Sequence, residues 1–207
     1  MTSIKIYAIS DLHSSKRKFE FASKIIKNEN PDLLIICGDI SHSSRKERLA
    51  HVISWLDFEP ILFVLGNMDG QELNSQISNA KNINLNQVNY RNYIIYGLGG
   101  PNHSLDSIID SSKDFFSNVN SERLIIISHI PPKNHCDKVY KGEHVGNKRL
   151  KNLIQKIQPR LLLCGHIHED RGISHLNNTI IINVGAAGCI IEINEDDTIT
   201  YKLIKNQ

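Results

Sequence analysis

The chain has 207 residues, 40% of them hydrophobic, and a formal net charge of +2. That is enough apolar material for the buried core of one domain, expected over residues 1–207. It excludes a bundle of membrane-spanning helices, since no apolar run approaches the roughly 20 residues such a helix needs, and the near-balanced charge argues against electrostatic wrapping of nucleic acid as a main task.

The four cysteines, Cys37, Cys136, Cys164 and Cys189, show no C-x-x-C spacing, so a zinc knuckle and a thioredoxin-type motif are both excluded. Cys37 and Cys164 each end an apolar run and read as small buried hydrophobes. The N-terminus lacks the basic, apolar and small-residue regions of a signal peptide, so the expected compartment is the cytoplasm, without membrane association.

In chain order, residues 5–9 read as a strand and 16–27 as a helix with Phe19, Ala22, Ile25 and Ile26 on its apolar face. Residues 33–37 form a second strand, 45–56 a second helix and 61–65 a third strand. This alternation calls for a parallel sheet with right-handed crossovers. Further on, 93–97 is a strand, 98–103 a loop, 105–116 a short helix and 124–127 a strand. A polar, Lys-rich loop leads to a helix over 148–157, then to the apolar run 161–164, which ends in Gly165, His166, Ile167 and His168. Residues 173–176, 179–184, 189–193 and 198–204 are short strands, expected to be antiparallel or mixed.

Five of the apolar runs end in residues able to bind metal. They deliver Asp11 with His13, then Asp39, Asn67, His129, and His166 with His168. In extended backbone, residues two apart point the same way, so His166 and His168 are expected to aim into one volume. Ligands of α/β sheets bind at the carboxyl ends of strands. Carboxylate, imidazole and amide oxygen suit Mn, Fe, Zn, Co or Ni. Seven such side chains exceed the needs of one ion and match two, ~3.5–4 Å apart, with a bridging carboxylate. The Gly38-Asp39 turn makes Asp39 the bridging candidate. A water shared by two cations ionises near neutral pH and can attack phosphorus in line.

The series Asp11-Leu12-His13, Gly38-Asp39, Gly66-Asn67, His129 and Gly165-His166-Ile167-His168 resembles the motifs of calcineurin-like metallophosphoesterases, in residue type, order and strand context. The resemblance runs from Asp11 to about Gly185. It implies an α/β fold, a four-layer αββα sandwich of two mixed sheets flanked by helices. It also implies that Asp11, His13, Asp39 and His168 hold one divalent ion and that Asp39, Asn67, His129 and His166 hold the other, Mn or Fe being favoured. The implied activity is hydrolysis of a phosphoester, on a small molecule or a nucleotide, with no stable nucleic-acid binding; a homo-oligomer is compatible with it.

One position departs from the pattern. Many family members carry a histidine directly after the motif asparagine, where it helps protonate the leaving oxygen; this chain has Met68, then Asp69. Methionine has no proton to give. The departure points to phosphodiesters or to esters with good leaving groups, or to an acid supplied from elsewhere. His103 and His144 are the candidates, the latter because similar small members show a comparable His-Val-Gly segment. His42, His51, His135 and His175 read as surface or loop residues, and the lysines of 133–156 as a solvated face. Two other readings are a protein-interaction scaffold, as in the retromer subunit that shares this fold, and a DNA-repair nuclease. The filled ligand positions favour the enzyme over the first, and the short chain leaves little room for the capping regions of the second.

Overall fold

The computed structural model describes residues 3–42, 46–69, 77 and 79–205. Among them, two six-stranded sheets lie face to face. The first is built from β1 (Ile4–Ile9), β2 (Leu33–Cys37), β3 (Ile61–Val64) and β4 (Ala80–Asn82). The second begins with β5 (Gln87–Tyr90), β6 (Tyr93–Leu98), β7 (Leu124–Ser128) and β8 (Leu161–Cys164) and continues through β9 (Gly172–Leu176) and β10 (Thr179–Asn183). The chain then returns to the first sheet with β11 (Cys189–Ile193) and β12 (Ile199–Leu203). Strand orders are β12-β11-β1-β2-β3-β4 and β5-β6-β7-β8-β10-β9. The runs β1 to β4 and β6 to β10 through β7 and β8 are parallel, whereas β5, β9, β11 and β12 pair antiparallel with their neighbours. Both sheets are therefore mixed.

The period-two alternation of each buried strand sorts its side chains into separate cores. In β2, Leu33, Ile35 and Cys37 face the second sheet, while Leu34 and Ile36 pack under α1 (Lys16–Glu29) and α2 (Lys46–Ile53). In β8, Leu161 and Leu163 fill the space between sheets. Leu162 and Cys164 face the opposite way, toward α3 (Asn102–Ser111), α4 (Lys113–Asn118) and α5 (Lys148–Ile157). Three apolar cores between four layers give the αββα sandwich. All four cysteines are buried and free, Cys37 and Cys164 as the sequence led one to expect.

Local details differ from the sequence reading. Arg45, the expected start of the second helix, lies outside the described residues. That helix ends at Ile53 and gives way to tight turns through Leu56. The single helix expected over 105–116 is two helices that meet at Ser112. The Ser112 hydroxyl is buried, accepts a 2.8 Å bond from Tyr96 and donates back to the Ile108 carbonyl. The break brings Phe115 onto the Tyr96 ring at 4.1 Å. The first of these helices starts directly after Pro101, so His103 sits in a helical first turn rather than a loop. Two short strands, β4 and β5, had no signal in the residue pattern.

Candidate metal centre

The carboxyl ends of β1, β2, β3, β7 and β8 meet where the two sheets face one another, and their loops are laced together. Asp11 N donates to Gly38 O at 3.0 Å and His13 N to Asp39 O at 2.9 Å. Gly165 N donates to His129 O at 3.0 Å. Asp11, His13, Asp39 and His166 all have positive φ, between 51° and 69°. Such backbone costs about 1–3 kcal/mol per residue and concentrates at functional sites. The segment after β8 is thus not extended. The His166 amide is drawn to Asp11 Oδ2 at 3.1 Å, and Ile167 N closes a tight turn onto Gly165 O. His166 and His168 consequently part company.

Two donor groups result: Asp11, His13 and His168 in one, Asp39, His129 and His166 in the other, with ligand atoms within 4.8 Å of one another in each. Asn67 joins the second, its Oδ1 being 3.0 Å from His129 Nε2. Asp39 Oδ2 lies 3.5 Å from His129 Nε2 and 4.0 Å from His13 Nδ1, so one oxygen faces both groups. Its partner Oδ1 is held by the Met68 amide at 2.8 Å. His129 is fully buried, and its Nδ1 donates to the Cys37 carbonyl at 2.9 Å. That bond sets the tautomer and leaves the Nε2 lone pair for a cation. The His168 side chain is 57% exposed, so the centre opens on that side.

The donor set fits divalent cations. Asp11 Oδ1 and His13 Nδ1 are buried and without a hydrogen-bond partner among the described residues. An unsatisfied buried group costs about 1–3 kcal/mol, and a cation beside each would remove that penalty. Asp11 Oδ2, by contrast, is satisfied by the Ser10 hydroxyl and the His166 amide.

Electrostatics at the centre follow from burial and close charges. Burial alone would raise the Asp11 carboxyl, but His168, His129 and Ser10 outweigh it and hold it down at about 2. Asp39 is likewise lowered, burial being outweighed by His129 and the Met68 amide. Burial pushes His13 down, and burial with the charge of His129 pushes His166 down. His129 is raised because Asp39 outweighs its burial, and His168 is raised chiefly by Asp11.

Beside the centre lies a cleft of about 580 Å³, lined in part by Asn67, His166 and His103. His144 is not among its lining residues; it pairs with the buried Asp137. Three residues escaped the sequence reading. Asp69 is buried and accepts from the amides of Ile40, Ser41 and Gly66, clamping the loops after β2 and β3 together. Its place two residues after Asn67 was the available signal. Asp137 had none. His42 is exposed, as read, but it also stacks on His13 with ring centroids 4.7 Å apart and planes at 14°. His135 is half-buried against the Ser174 hydroxyl at 2.8 Å.

Oxygen and imidazole donors in two adjoining groups, at strand ends of an αββα sandwich, make a candidate metal centre. The family model for calcineurin-like phosphoesterases matches residues 4–170. The chain belongs to that family and is a metal-dependent phosphoesterase. It is 29% identical over 194 residues to the uncharacterized protein MJ1162 of Methanocaldococcus jannaschii, covering 87% of each chain. Solved structures of the same fold include the phosphopantetheinyl hydrolase PptH of Mycobacterium tuberculosis, with a TM-score of 0.65 at 13% identity, covering 87% of this chain and 88% of that one. Another is GAP50, the anchor in the inner membrane complex of Plasmodium, with a TM-score of 0.66 at 12% identity, covering 100% and 90%. At such identities the likeness is one of fold. No helix among the described residues is long and apolar enough to cross a membrane.

Proposed function

We propose that this chain, acting as one domain, hydrolyses phosphodiesters at a pair of divalent ions bridged by Asp39. The observation that carries the reading is the position of Asp39 Oδ2 between His13 and His129. On this reading Asp11, His13, Asp39 and His168 hold one ion and Asp39, Asn67, His129 and His166 the other; donors without thiolate suit Mn, Fe, Zn, Co or Ni, of which the family resemblance favours Mn or Fe. When bound, the ions supply Lewis acidity toward the phosphoryl oxygens and lower the pKa of a coordinated water.

The chain's own residues supply orientation and protons. Cys37 fixes His129 through its carbonyl, and the Met68 amide fixes Asp39. The Met68 side chain, 40% exposed, has no proton for the leaving oxygen. An acid supplied from elsewhere would be His103 in the cleft or His144, held by Asp137. The absence of an acid at position 68 supports diesters and good leaving groups over alkyl monoesters. A scaffold role, which a fold shared with GAP50 allows, does not account for two complete donor groups.

Metal analysis joined to an activity screen tests the proposal. About two equivalents of transition metal, with bis(4-nitrophenyl) phosphate cleaved faster than alkyl monoesters, is the expected result. One equivalent or none would overturn the dinuclear reading, and faster cleavage of alkyl monoesters the diesterase one.

A further inference from the structure

The far wall of the cleft carries information about the substrate's alcohol portion. It is formed by the start of α3 and the residue before α5. Asn147 is buried and its side chain is fully committed. Its Oδ1 accepts from Leu150 N at 2.7 Å, capping α5. Its Nδ2 donates to Asn102 Oδ1 at 3.0 Å and to Asp106 Oδ1 at 3.1 Å. Asn102 and Asp106, which both line the cleft, are thus each fixed through one oxygen by the same nitrogen. The Asn102 amide N–H groups and Asp106 Oδ2 have no hydrogen-bond partner among the described residues. The wall therefore offers a donor and a charged acceptor side by side.

Among the described residues, the cleft lining contains no lysine or arginine, and Asp106 is its one carboxylate. A second phosphate on the substrate would meet the Asp106 carboxylate, with no lysine or arginine of the described lining to offset it. An aromatic or alkyl group would cover the two polar atoms without satisfying them, which disfavours it. An alcohol with adjacent hydroxyls can donate to Asp106 Oδ2 and accept from the Asn102 amide at once.

We infer that Asp106 and Asn102 select an ester whose alcohol carries neighbouring hydroxyl groups, as a polyol or a ribose does, over alcohols that are apolar or bear a second phosphate. The inference rests on the phosphoesterase reading of the adjoining centre.

The test uses esters that share one leaving group: glyceryl, propyl and phosphoglyceryl 4-nitrophenyl phosphates, with the Mn-loaded protein. In wild type, kcat/KM for the glyceryl ester is expected to exceed the other two by about tenfold or more, in line with sites built to bond a substrate hydroxyl. Asp106→Ala and Asn102→Ala should each pull the glyceryl-to-propyl ratio toward one; Asn102 is exposed, so its variant tests the wall without burdening the fold. A parallel calorimetric titration should rank glycerol 3-phosphate above propyl phosphate. A wild-type ratio near one, a ratio unchanged in both variants, or preference for the phosphorylated ester would overturn the inference while leaving the hydrolase reading intact. Hydrolysis of none of the esters would remove the hydrolase reading and this inference together.

Discussion

Asp137 is fully buried, and its Oδ1 lies 2.5 Å from Nδ1 of His144, a side chain 40% exposed. The other carboxylate oxygen accepts from Gly146 N at 2.8 Å and Asn134 N at 3.0 Å, so the acid is anchored at three points. The loop that carries the pair hangs on the metal centre. Lys138 N donates to Asp170, just past His168, and Asn183 joins Cys136 O to Ile167 O. A carboxylate bonded to Nδ1 orients the ring and leaves Nε2 to exchange a proton.

If His144 protonates the leaving oxygen, His144→Ala costs most where the leaving group is a poor one. A loss of about 10²-fold or more is expected for alkyl leaving groups and little for 4-nitrophenolate. Asp137→Asn should follow the same pattern with a smaller loss. Equal losses across leaving groups would assign the proton to another residue, and His103→Ala is then the variant to measure.

Asp39→Asn removes the charge that both donor groups share. On the proposed dinuclear reading, metal content is expected to fall from about two equivalents to one or fewer, with activity lost, because both donor groups lose the carboxylate they share. Elemental analysis of the purified variant reads this directly. Asp11→Asn should affect one group alone and leave metal at the other, which separates bridging from simple ligation.

The shifted imidazoles give the centre a pH dependence with a defined sign. A ligand histidine must be neutral, so protons compete with metal at His129 and His168, which are raised, and much less at His13 and His166, which are lowered. Mn affinity is expected to weaken as pH falls, beginning above the ordinary imidazole value of about 6.5. Below that, the fall approaches about one decade per pH unit for each ion, since each donor group holds one raised histidine.

In metal-free protein the sign reverses for the raised histidines. They contribute stability that is full below their unfolded pKa and lost as pH rises through the folded one. Asp11, lowered from 3.8 to about 2, contributes above its unfolded pKa and loses that contribution as pH falls toward 2. His13 and His166, which are lowered, act against the raised pair, losing their contribution as pH falls through the unfolded imidazole value. Metal-free protein should therefore show a shallow pH dependence near neutrality and a loss in strong acid, while metal loading makes stability rise with pH. Thermal unfolding with and without chelator measures both.

Legibility of the site from sequence had a physical boundary. Asp11, His13, Asp39, Asn67, His129, His166 and His168 announced themselves because each follows an apolar run, and the carboxyl ends of parallel strands converge. Asp69, Asp137 and His42 did not, because their roles arise only when separate loops approach. The sheets were legible only as a class. Nothing in the pattern of Ile180, Ile181 and Ile182 says that β10 lies parallel to β8 in the second sheet, while the equally apolar β11 crosses back to pair with β1. The polar strand β5 carries no alternation strong enough to separate it from loop, and Ser112 breaks a helix through bonds that exist only in the folded core.

Asp39 is set where the loops after β2 and β3 meet. A Cβ on Gly66 would lie 2.1 Å from Asp39 Oδ1 and 2.4 Å from Asp39 N. Neither neighbour can yield freely. Asp39 Oδ1 is bonded to the Met68 amide, and Gly66 N is itself held by Asp69 Oδ2 at 2.9 Å. Gly66→Ala must therefore displace the Asp39 carboxylate, at a cost in the range of about 1–3 kcal/mol for overpacking. Both unfolding stability and metal stoichiometry should drop together. Asp69→Ala tests the same junction from the other side. It leaves the amides of Ile40, Ser41 and Gly66 without their acceptor, and an unsatisfied buried donor costs about 1–3 kcal/mol. Unlike Gly66→Ala, it inserts nothing into the metal centre, so a larger share of its effect should appear in stability than in metal content. A Gly66→Ala protein that kept two metals and full stability would show that the loops separate at low cost, and the rigidity argued for Asp39 would fail with it.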